Sequence, residues 1–266
     1  MNSDFYNLGI DNVERIAYTK NNKELVVAYM FSFETLINDK MIGKITIIIG
    51  PKGEILNIFD SLMYMEIRGN VKGEIFPEIP EDDKKINAFF KDNYVEIGDK
   101  KATTNNNGGY ILQGENSQRI KMALEGPWAR TIDENGEEAS VDRVLGNNYN
   151  IHWKDYDNSY KKEQSNAFFH TNIAHDFAVQ EHINPEMNFQ MPVIVNIDES
   201  CNAFYTSGAP SINFFRSNEE CEATSLFSDI IYHEYGHGIT DNIVALGDFD
   251  FPYFGQTGNL NEGISD

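Results

Sequence analysis

Short hydrophobic runs separated by polar turns fill about the first 130 residues, and this pattern predicts β-strands. Residues 24–36 are rich in β-branched and aromatic side chains. Residues 44–49 and 54–59 flank the sequence GPKG, which predicts a β-turn and therefore a hairpin. Similar short runs continue beyond residue 67, at a spacing typical of a small β-sandwich.

The hydrophobic pattern changes to helical spacing in the second half of the chain. Within residues 160–180, apolar side chains recur at intervals of three and four, which predicts an amphipathic helix. Residues 191–197 and 211–215 again resemble strands. A long helix is predicted from about residue 225 to residue 246, with Ser225 as its N-cap. This mixture of elements predicts an α+β fold.

These changes in pattern divide the chain into three predicted units. Residues 1–66 read as a β-rich unit, and residues 67–132 read as the small β-sandwich. Residues 133–266 combine a mixed sheet with helices. The polar stretch 133–148, which is rich in acidic residues and carries glycine and asparagine, is interpreted as the connector that opens the third unit.

The charge of the chain excludes several classes of partner. Lysine and arginine number 21 and aspartate and glutamate number 42, which gives a net charge of −21. We therefore expect neither a nucleic-acid partner nor an anionic membrane surface, because both attract basic proteins. No apolar run is long enough to span a bilayer, and the first residues show no signal-peptide pattern. We expect either a cytosolic protein or a piece of a longer precursor.

Two cysteines, Cys201 and Cys221, are the whole cysteine inventory. They allow two interpretations, a pair of reduced core thiols or a single disulfide that closes a short loop. The disulfide would imply an oxidising compartment. For protein made in such a compartment, we predict that the disulfide forms.

The sequence HEYGH at 233–237 carries the most specific chemistry in the chain. On a helix, His233 and His237 lie one turn apart on the same face, where both can bind one tetrahedral Zn²⁺. Glu234 lies about 100° further round and is placed to act as a general base. This is the metalloprotease motif H-E-x-x-H, and the alternative is a core helix with chance histidines. Gly236 and Gly238 make sense if another element packs closely against this helix.

A third ligand is available further along the chain. Glu262 follows His237 by 25 residues, which is enough for a turn and a returning helix. Asp266 comes four residues later on the same predicted face, where it could hold a ligand imidazole and fix its tautomer. His170 and His175 are five residues apart, about 140° around a helix, and are interpreted as structural.

The sequence HEYGHGITD followed by NEGISD resembles the gluzincin metallopeptidases, the thermolysin-like and fungalysin-like families, and the fungalysin-like pattern is closer. The zinc ligands implied by this resemblance are His233, His237 and Glu262. The resemblance also implies that Glu234 is the catalytic base and that Asp266 partners His233. It places Asn261 as a supporting group near His237.

Further stretches extend the resemblance over about residues 160–266. NAFY at 202–205 resembles the edge strand of thermolysin-like enzymes, which implies that Asn202 and Ala203 hold substrate as an added strand. Asp229 matches a calcium-site carboxylate, and the alternative is a solvated aspartate that favours the helix dipole. Tyr253 is the candidate for a tyrosine that assists the oxyanion.

The remaining units carry weaker likenesses. Residues 1–66 resemble the end of a propeptide, and residues 70–126 resemble a small β-domain of the carboxypeptidase-regulatory type. The third unit, 133–266, then corresponds to the N-terminal half of a thermolysin-like catalytic domain. These families carry an oxyanion-stabilising histidine and a substrate-binding arginine in a further helical half. We expect that this C-terminal half of the catalytic domain is absent from the chain and is the partner that the chain requires.

The sequence therefore predicts a secreted zinc endopeptidase, made as a zymogen, that acts on peptide or protein substrates. Zinc is the expected cofactor, with calcium at Asp229 as the second candidate. The alternative function is a zinc-bearing but inactive chain in which residues 1–126 act as a binding or inhibitory module. A downstream histidine in the complete gene would distinguish the two.

Overall fold

The structure is a computed structural model with a mixed α+β fold composed mostly of strands, which confirms the predicted class. Residues 244–255, which include Tyr253, lie outside the described residues. Among the described residues, no helix has the length and apolar character needed to cross a membrane. The described residues are 10–20, 24–37, 40–60, 65–81, 84–114, 119–144, 149–154, 162–181, 187–243 and 256–266.

The chain forms two compact units. The first comprises Met1–Met65 with Gln113–Glu115, and the second comprises Glu66–Leu112 with Asn116–Asp266. The first unit holds an antiparallel sheet in the order β1-β2-β3-β4. Its strands are β1 (Ile10–Lys20), β2 (Glu24–Ile37), β3 (Lys40–Ile49) and β4 (Ile55–Asp60).

The predicted hairpin in the first unit is confirmed. Strands β3 and β4 pair antiparallel across the GPKG turn. Gly53 has a φ of +80°, a conformation that glycine adopts without steric penalty. Its N–H donates to the Gly50 carbonyl at 3.0 Å and closes the turn. Local turn chemistry therefore determines the register of this strand pair.

Two four-stranded sheets open the second unit. One has the order β13-β5-β6, with β9 also paired to β5, and the other has the order β12-β10-β7-β8. The strands of the first sheet are β5 (Met65–Ile75), β6 (Ile86–Phe89), β9 (Gly109–Gly114) and β13 (Ile151–His152). The strands of the second sheet are β7 (Tyr94–Ile97), β8 (Lys100–Thr103), β10 (Arg119–Ala123) and β12 (Ser140–Val144).

Strand β12 corrects one prediction, because it lies within the stretch 133–148 that was interpreted as a connector. It pairs antiparallel with β10, and Ala139 and Val141 are buried on alternate positions. The exposed polar neighbours of these two residues hide the alternation in the sequence. A half-buried edge strand can therefore have the composition of a loop.

A mixed sheet in the order β11-β14-β16-β15 supports the helices of the second unit. The strands are β11 (Ala129–Asp133), β14 (Met191–Ile197), β15 (Ala203–Thr206) and β16 (Ser211–Phe215). The pairs β11–β14 and β14–β16 are parallel, whereas β15 is antiparallel to β16 and lies at the end of this sheet order. The predicted boundary between residues 132 and 133 falls inside β11.

The described residues contain three α-helices: α1 (Lys162–Gln180), α2 (Ser228–Ile243) and α3 (Gln256–Ser265). Helix α1 packs on β11, β14 and α2, and α2 packs on β15, β16 and α3. The N-cap prediction at Ser225 is wrong, because this residue lies in a 3-10 turn, Thr224–Leu226. Phe227 is extended, with φ −98° and ψ 120°, and it separates the turn from α2.

One continuous apolar core joins the sheets and the first two helices of the second unit. This core includes Trp153 and Phe90 from the β-rich region, Phe168 from α1 and Ile231 from α2. All four side chains are essentially inaccessible to solvent. The helix that carries the H-E-x-x-H motif is therefore anchored in the main core, and its polar face has a rigid base.

Candidate metal centre

Helices α2 and α3 bring the three predicted ligands together. His233 and His237 lie one turn apart on α2, with ring centroids 4.5 Å apart. Glu262 on α3 places its Oε2 atom 3.1 Å from Nε2 of His233 and 3.6 Å from Nε2 of His237. One potential ligand atom from each residue lies within 4.8 Å of the others. This group could hold a metal ion.

Asp266 fixes the orientation of His233. Its Oδ1 atom lies 2.8 Å from Nδ1 of the imidazole, on the opposite side of the ring from Glu262. An ionised carboxylate can only accept a hydrogen bond, so in the tautomer that suits a metal ion at Nε2, Nδ1 of His233 donates to Asp266. In the neutral ring, Nε2 then keeps the lone pair that a metal ion requires.

The second imidazole is held in the same way by two groups from α3. Nδ1 of His237 lies 2.9 Å from Oγ of Ser265 and 3.2 Å from Oδ1 of Asn261. The Ser265 hydroxyl donates to the Asn261 carbonyl at 2.9 Å, so its oxygen accepts from the imidazole. Asn261 was predicted to support His237 from the resemblance to gluzincins, whereas Ser265 was not predicted. The spacing of four residues between them on one helix was the available signal.

The chemistry of these donors fits a metal ion. Two imidazole nitrogens and one carboxylate oxygen form a three-ligand set that leaves a fourth tetrahedral position for water or substrate. His237 is buried, His233 is half-buried, and Glu262 is exposed, so the group is open to solvent on one side. Both imidazoles are already oriented through Nδ1, which reduces the reorganisation needed on binding.

Glu234 lies beside this group in a buried position. Only 5% of the residue is exposed, and its Oε2 atom has no hydrogen-bond partner among the described residues. The pKa of Glu234 is raised to about 7, mainly by burial; the nearby charge of Glu262 also raises the pKa, whereas His233 and the N–H of Tyr205 lower it. This carboxyl group can therefore take up and release a proton near neutral pH.

The two glycines of the motif allow close packing against α2, as the sequence suggested. A Cβ atom at Gly236 would lie 2.9 Å from both the Cα and the carbonyl oxygen of Ser265. A Cβ atom at Gly238 would lie 3.2 Å from the ring of Tyr205 and 3.4–3.5 Å from two methionine methyl groups. Helix α3 and strand β15 thus approach α2 at positions without side chains.

The predicted substrate residues lie at the start of β15. Ala203 pairs with Phe214 of β16, and Asn202 precedes the strand with an exposed side chain. The Asn202 carbonyl accepts hydrogen bonds from the Phe215 N–H at 3.2 Å and from the Thr224 hydroxyl at 2.9 Å. These contacts fix the backbone at the point where β15 begins.

Tyr205 connects β15 to the helix that carries the histidines. Its hydroxyl donates to Oδ2 of Asp241 on α2 at 3.0 Å, and its backbone N–H bonds to Glu234. This strand was predicted from its NAFY motif, but no role was predicted for its tyrosine. Its two contacts depend on the tertiary approach of β15 to α2, which the local sequence does not indicate.

Cys201 and Cys221 form a disulfide, as predicted, with their Cα atoms 5.7 Å apart. The reduced alternative is therefore not the state of this structure. The bond joins the residue before Asn202 to the segment that leads into α2. A disulfide of this kind is consistent with an extracellular protein.

Asp229, His170 and His175, which the sequence also singled out, are not members of the group that could hold a metal ion. Asp229 is exposed in the first turn of α2, where its carboxylate accepts the N–H of Ile230 at 3.0 Å. His170 and His175 are buried on α1. His175 stacks on Trp128 with a centroid distance of 4.2 Å. Burial among packed side chains agrees with the interpretation of these two histidines as structural residues.

Comparison with known proteins adds no family to this description. No protein-family model matches the chain, and a search of curated proteins finds no match. Functional assignment therefore depends on the chemistry of the metal group and of the side chains around it.

Proposed function

We propose that this chain carries the zinc-binding site of a gluzincin-type endopeptidase of the thermolysin-like and fungalysin-like kind. The observation that carries the proposal is a buried carboxyl group, Glu234, beside two imidazoles and a carboxylate that converge from two helices. A chance pair of helical histidines would have neither the third donor nor the hydrogen bonds to Nδ1.

Zinc is the metal that this donor set favours. Imidazole nitrogen and carboxylate oxygen together are typical of catalytic zinc sites that keep one open position. His233, His237 and Glu262 would hold the ion. When bound, Zn²⁺ would supply a Lewis acid for the scissile carbonyl and a water acidic enough to ionise near neutral pH.

Glu234 would perform the proton transfers. Its carboxylate would accept a proton from the attacking water and later deliver it to the amine of the leaving peptide. A pKa of about 7 suits both steps, because neither protonation state is strongly disfavoured at neutral pH. Next to a bound dication, the ionised form that starts the cycle would be favoured further.

Strand β15 would bind the substrate. It lies at the end of its sheet order, so an extended peptide could add alongside it and pair through the backbone near Asn202 and Ala203. The N–H of Tyr205 in the same strand bonds to Glu234, which keeps the base close to the strand that would carry the peptide. The disulfide at Cys201 and the acidic surface support a secreted protein.

The test combines metal analysis with a peptidase assay. Purified protein should contain one zinc per chain, and His237→Ala should lose it. Relative to wild type, Glu234→Gln should keep zinc and lose about 10²–10⁴ in the rate of peptide cleavage. The exposed Glu222 offers the matched control, since Glu222→Gln should keep both zinc and activity.

Three outcomes would count against the proposal. Equal zinc in wild type and His237→Ala would overturn the ligand assignment, and near-wild-type turnover of Glu234→Gln would overturn the general base. Zinc bound at full occupancy without any peptidase activity would favour the inactive zinc-bearing module instead.

A further inference from the structure

We propose that Gly236 is a positioning residue that determines how closely α3 docks on α2 and so places Glu262 against the two histidines. The inference depends on the metal centre proposed above. Gly236 lies between His233 and His237 in the chain, at the point where α3 crosses α2.

The contact at Gly236 leaves no room for a side chain. An added Cβ atom would lie 2.9 Å from the Cα and carbonyl oxygen of Ser265 and 3.1 Å from its Cβ. Carbon atoms in ordinary contact are about 3.5–4.0 Å apart. The atoms in the way belong to the backbone of α3, which cannot rotate aside as the end of a long side chain can. Any residue larger than glycine therefore requires α3 to move.

The groups that face the histidines from this side come from the end of α3: Glu262 and Ser265 lie in its last turn, and Asp266 is the residue that follows it. Glu262 faces both imidazoles, Asp266 holds Nδ1 of His233, and Ser265 holds Nδ1 of His237. Ser265 is also the residue whose backbone lies over Gly236. A displacement of α3 would therefore disturb a ligand and both orienting hydrogen bonds at the same time.

The helices offer one matched control, Gly263, and one intermediate case, Gly238, for the same substitution. At Gly238, an added Cβ would meet only side-chain atoms, the closest at 3.2 Å, and at Gly263 on α3 it would meet nothing within 4 Å. Alanine has a higher helix propensity than glycine. In the absence of a packing conflict, each Gly→Ala change should leave stability unchanged or raise it.

The experiment compares Gly236→Ala with the control Gly263→Ala in the 266-residue chain. Zinc affinity is measured by competition with a chromophoric chelator, and thermal unfolding is followed on metal-free protein. Gly236→Ala should weaken zinc binding by about 10–100-fold, the range for lost support of metal ligands. Gly263→Ala should bind zinc within about twofold of wild type and should have an unchanged or higher Tm. Gly236→Ala should have a lower Tm than wild type.

A folded Gly236→Ala variant with wild-type zinc affinity would overturn the inference. If this variant does not fold, Ser265→Ala is the substitute test of whether α3 supports the metal ligands. It removes only the hydroxyl that holds His237 and creates no clash. It should weaken zinc binding about tenfold or more, and wild-type affinity would overturn the link between α3 docking and His237.

If the proposed metal centre is wrong, the experiment gives a result that differs from failure of the Gly236 inference alone. Absence of zinc binding in wild type would overturn the metal centre and the positioning role that depends on it. The Tm values of the metal-free variants would then still decide the packing at Gly236. A Tm of Gly236→Ala at or above wild type would show that the close contact with Ser265 is absent.

Discussion

Acid should loosen the attachment of α1 to α2, the helix that carries the H-E-x-x-H motif, through His170. This residue is only 2% exposed, and its ring bridges two elements. Nε2 lies 2.7 Å from the carbonyl oxygen of Phe76, and Nδ1 lies 2.7 Å from the hydroxyl of Tyr232 on α2. Burial lowers the pKa of His170 to about 4, although the hydrogen bond to Phe76 acts in the opposite direction.

The sign and size of the effect follow from proton linkage. Between pH 6.5, the ordinary value for histidine, and pH of about 4, the unfolded chain binds a proton at His170 that the folded chain does not. The free energy of unfolding that this neutral histidine contributes is complete above pH 6.5 and is lost as the pH falls toward 4. The gap between the two values corresponds to about 3 kcal/mol in total, of which about 2.5 kcal/mol is lost by pH of about 4.5.

Urea unfolding at about pH 7.5 and about pH 4.5, with a chelator present, measures this contribution. His170→Gln should be less stable than wild type at the higher pH, and its deficit should shrink by about 2–3 kcal/mol at the lower pH. Trp128 and Trp153 both lie in the second unit, so tryptophan fluorescence reports its unfolding. Tyr232→Phe is the control and should retain the pH dependence, because burial is the main cause. Parallel pH profiles for wild type and His170→Gln would refute the reasoning.

Three further variants test contacts around the centre by urea unfolding of metal-free protein. Burial raises the pKa of Glu234 to about 7 from an ordinary 4.5, so wild type loses stability as the pH rises through this interval. Glu234→Gln should gain up to about 3 kcal/mol relative to wild type between about pH 5 and about pH 8, and a constant difference would contradict this. Replacing Cys201 and Cys221 by serine should cost about 3 kcal/mol for a loop of 20 residues, and an unchanged midpoint would contradict the chain-entropy account. Tyr205→Phe should cost about 1 kcal/mol, and its coupling to Asp241→Asn in a double-mutant cycle should be measurably above zero.

Local patterns predicted the elements of the fold better than their partners. The hairpin around Gly53 and the helix within residues 160–180 depend on neighbouring residues, and both are present. The parallel pairing of β11 with β14 joins residues about 60 apart in the chain, and periodicity contains no information about it. The start of α2 also depends on tertiary structure, because the Ser228 N–H bonds to the Glu78 carbonyl rather than to a local cap.

In the candidate site too, local sequence predicted some features, whereas others depend on tertiary packing. The spacing of His233, His237 and Glu262 was sufficient to predict that they meet, because helical geometry places the two histidines and the 25 residues from His237 to Glu262 leave enough chain for a returning helix. Ser265 and Tyr205 were not predicted. Their contacts require α3 and β15 to approach α2 at particular distances, and those distances are set by packing rather than by spacing.

The geometry of the centre therefore comes from the elements around α2 rather than from α2 itself. Each glycine in a helix interior costs about 1 kcal/mol relative to alanine, so Gly236 and Gly238 weaken the helix that carries the ligands. In return, Gly236 admits the backbone of α3, and Gly238 admits the ring of Tyr205. Helical segments of this length depend mainly on tertiary packing for stability. Close contact on these sides can thus offset the lost propensity and hold the imidazoles in one orientation.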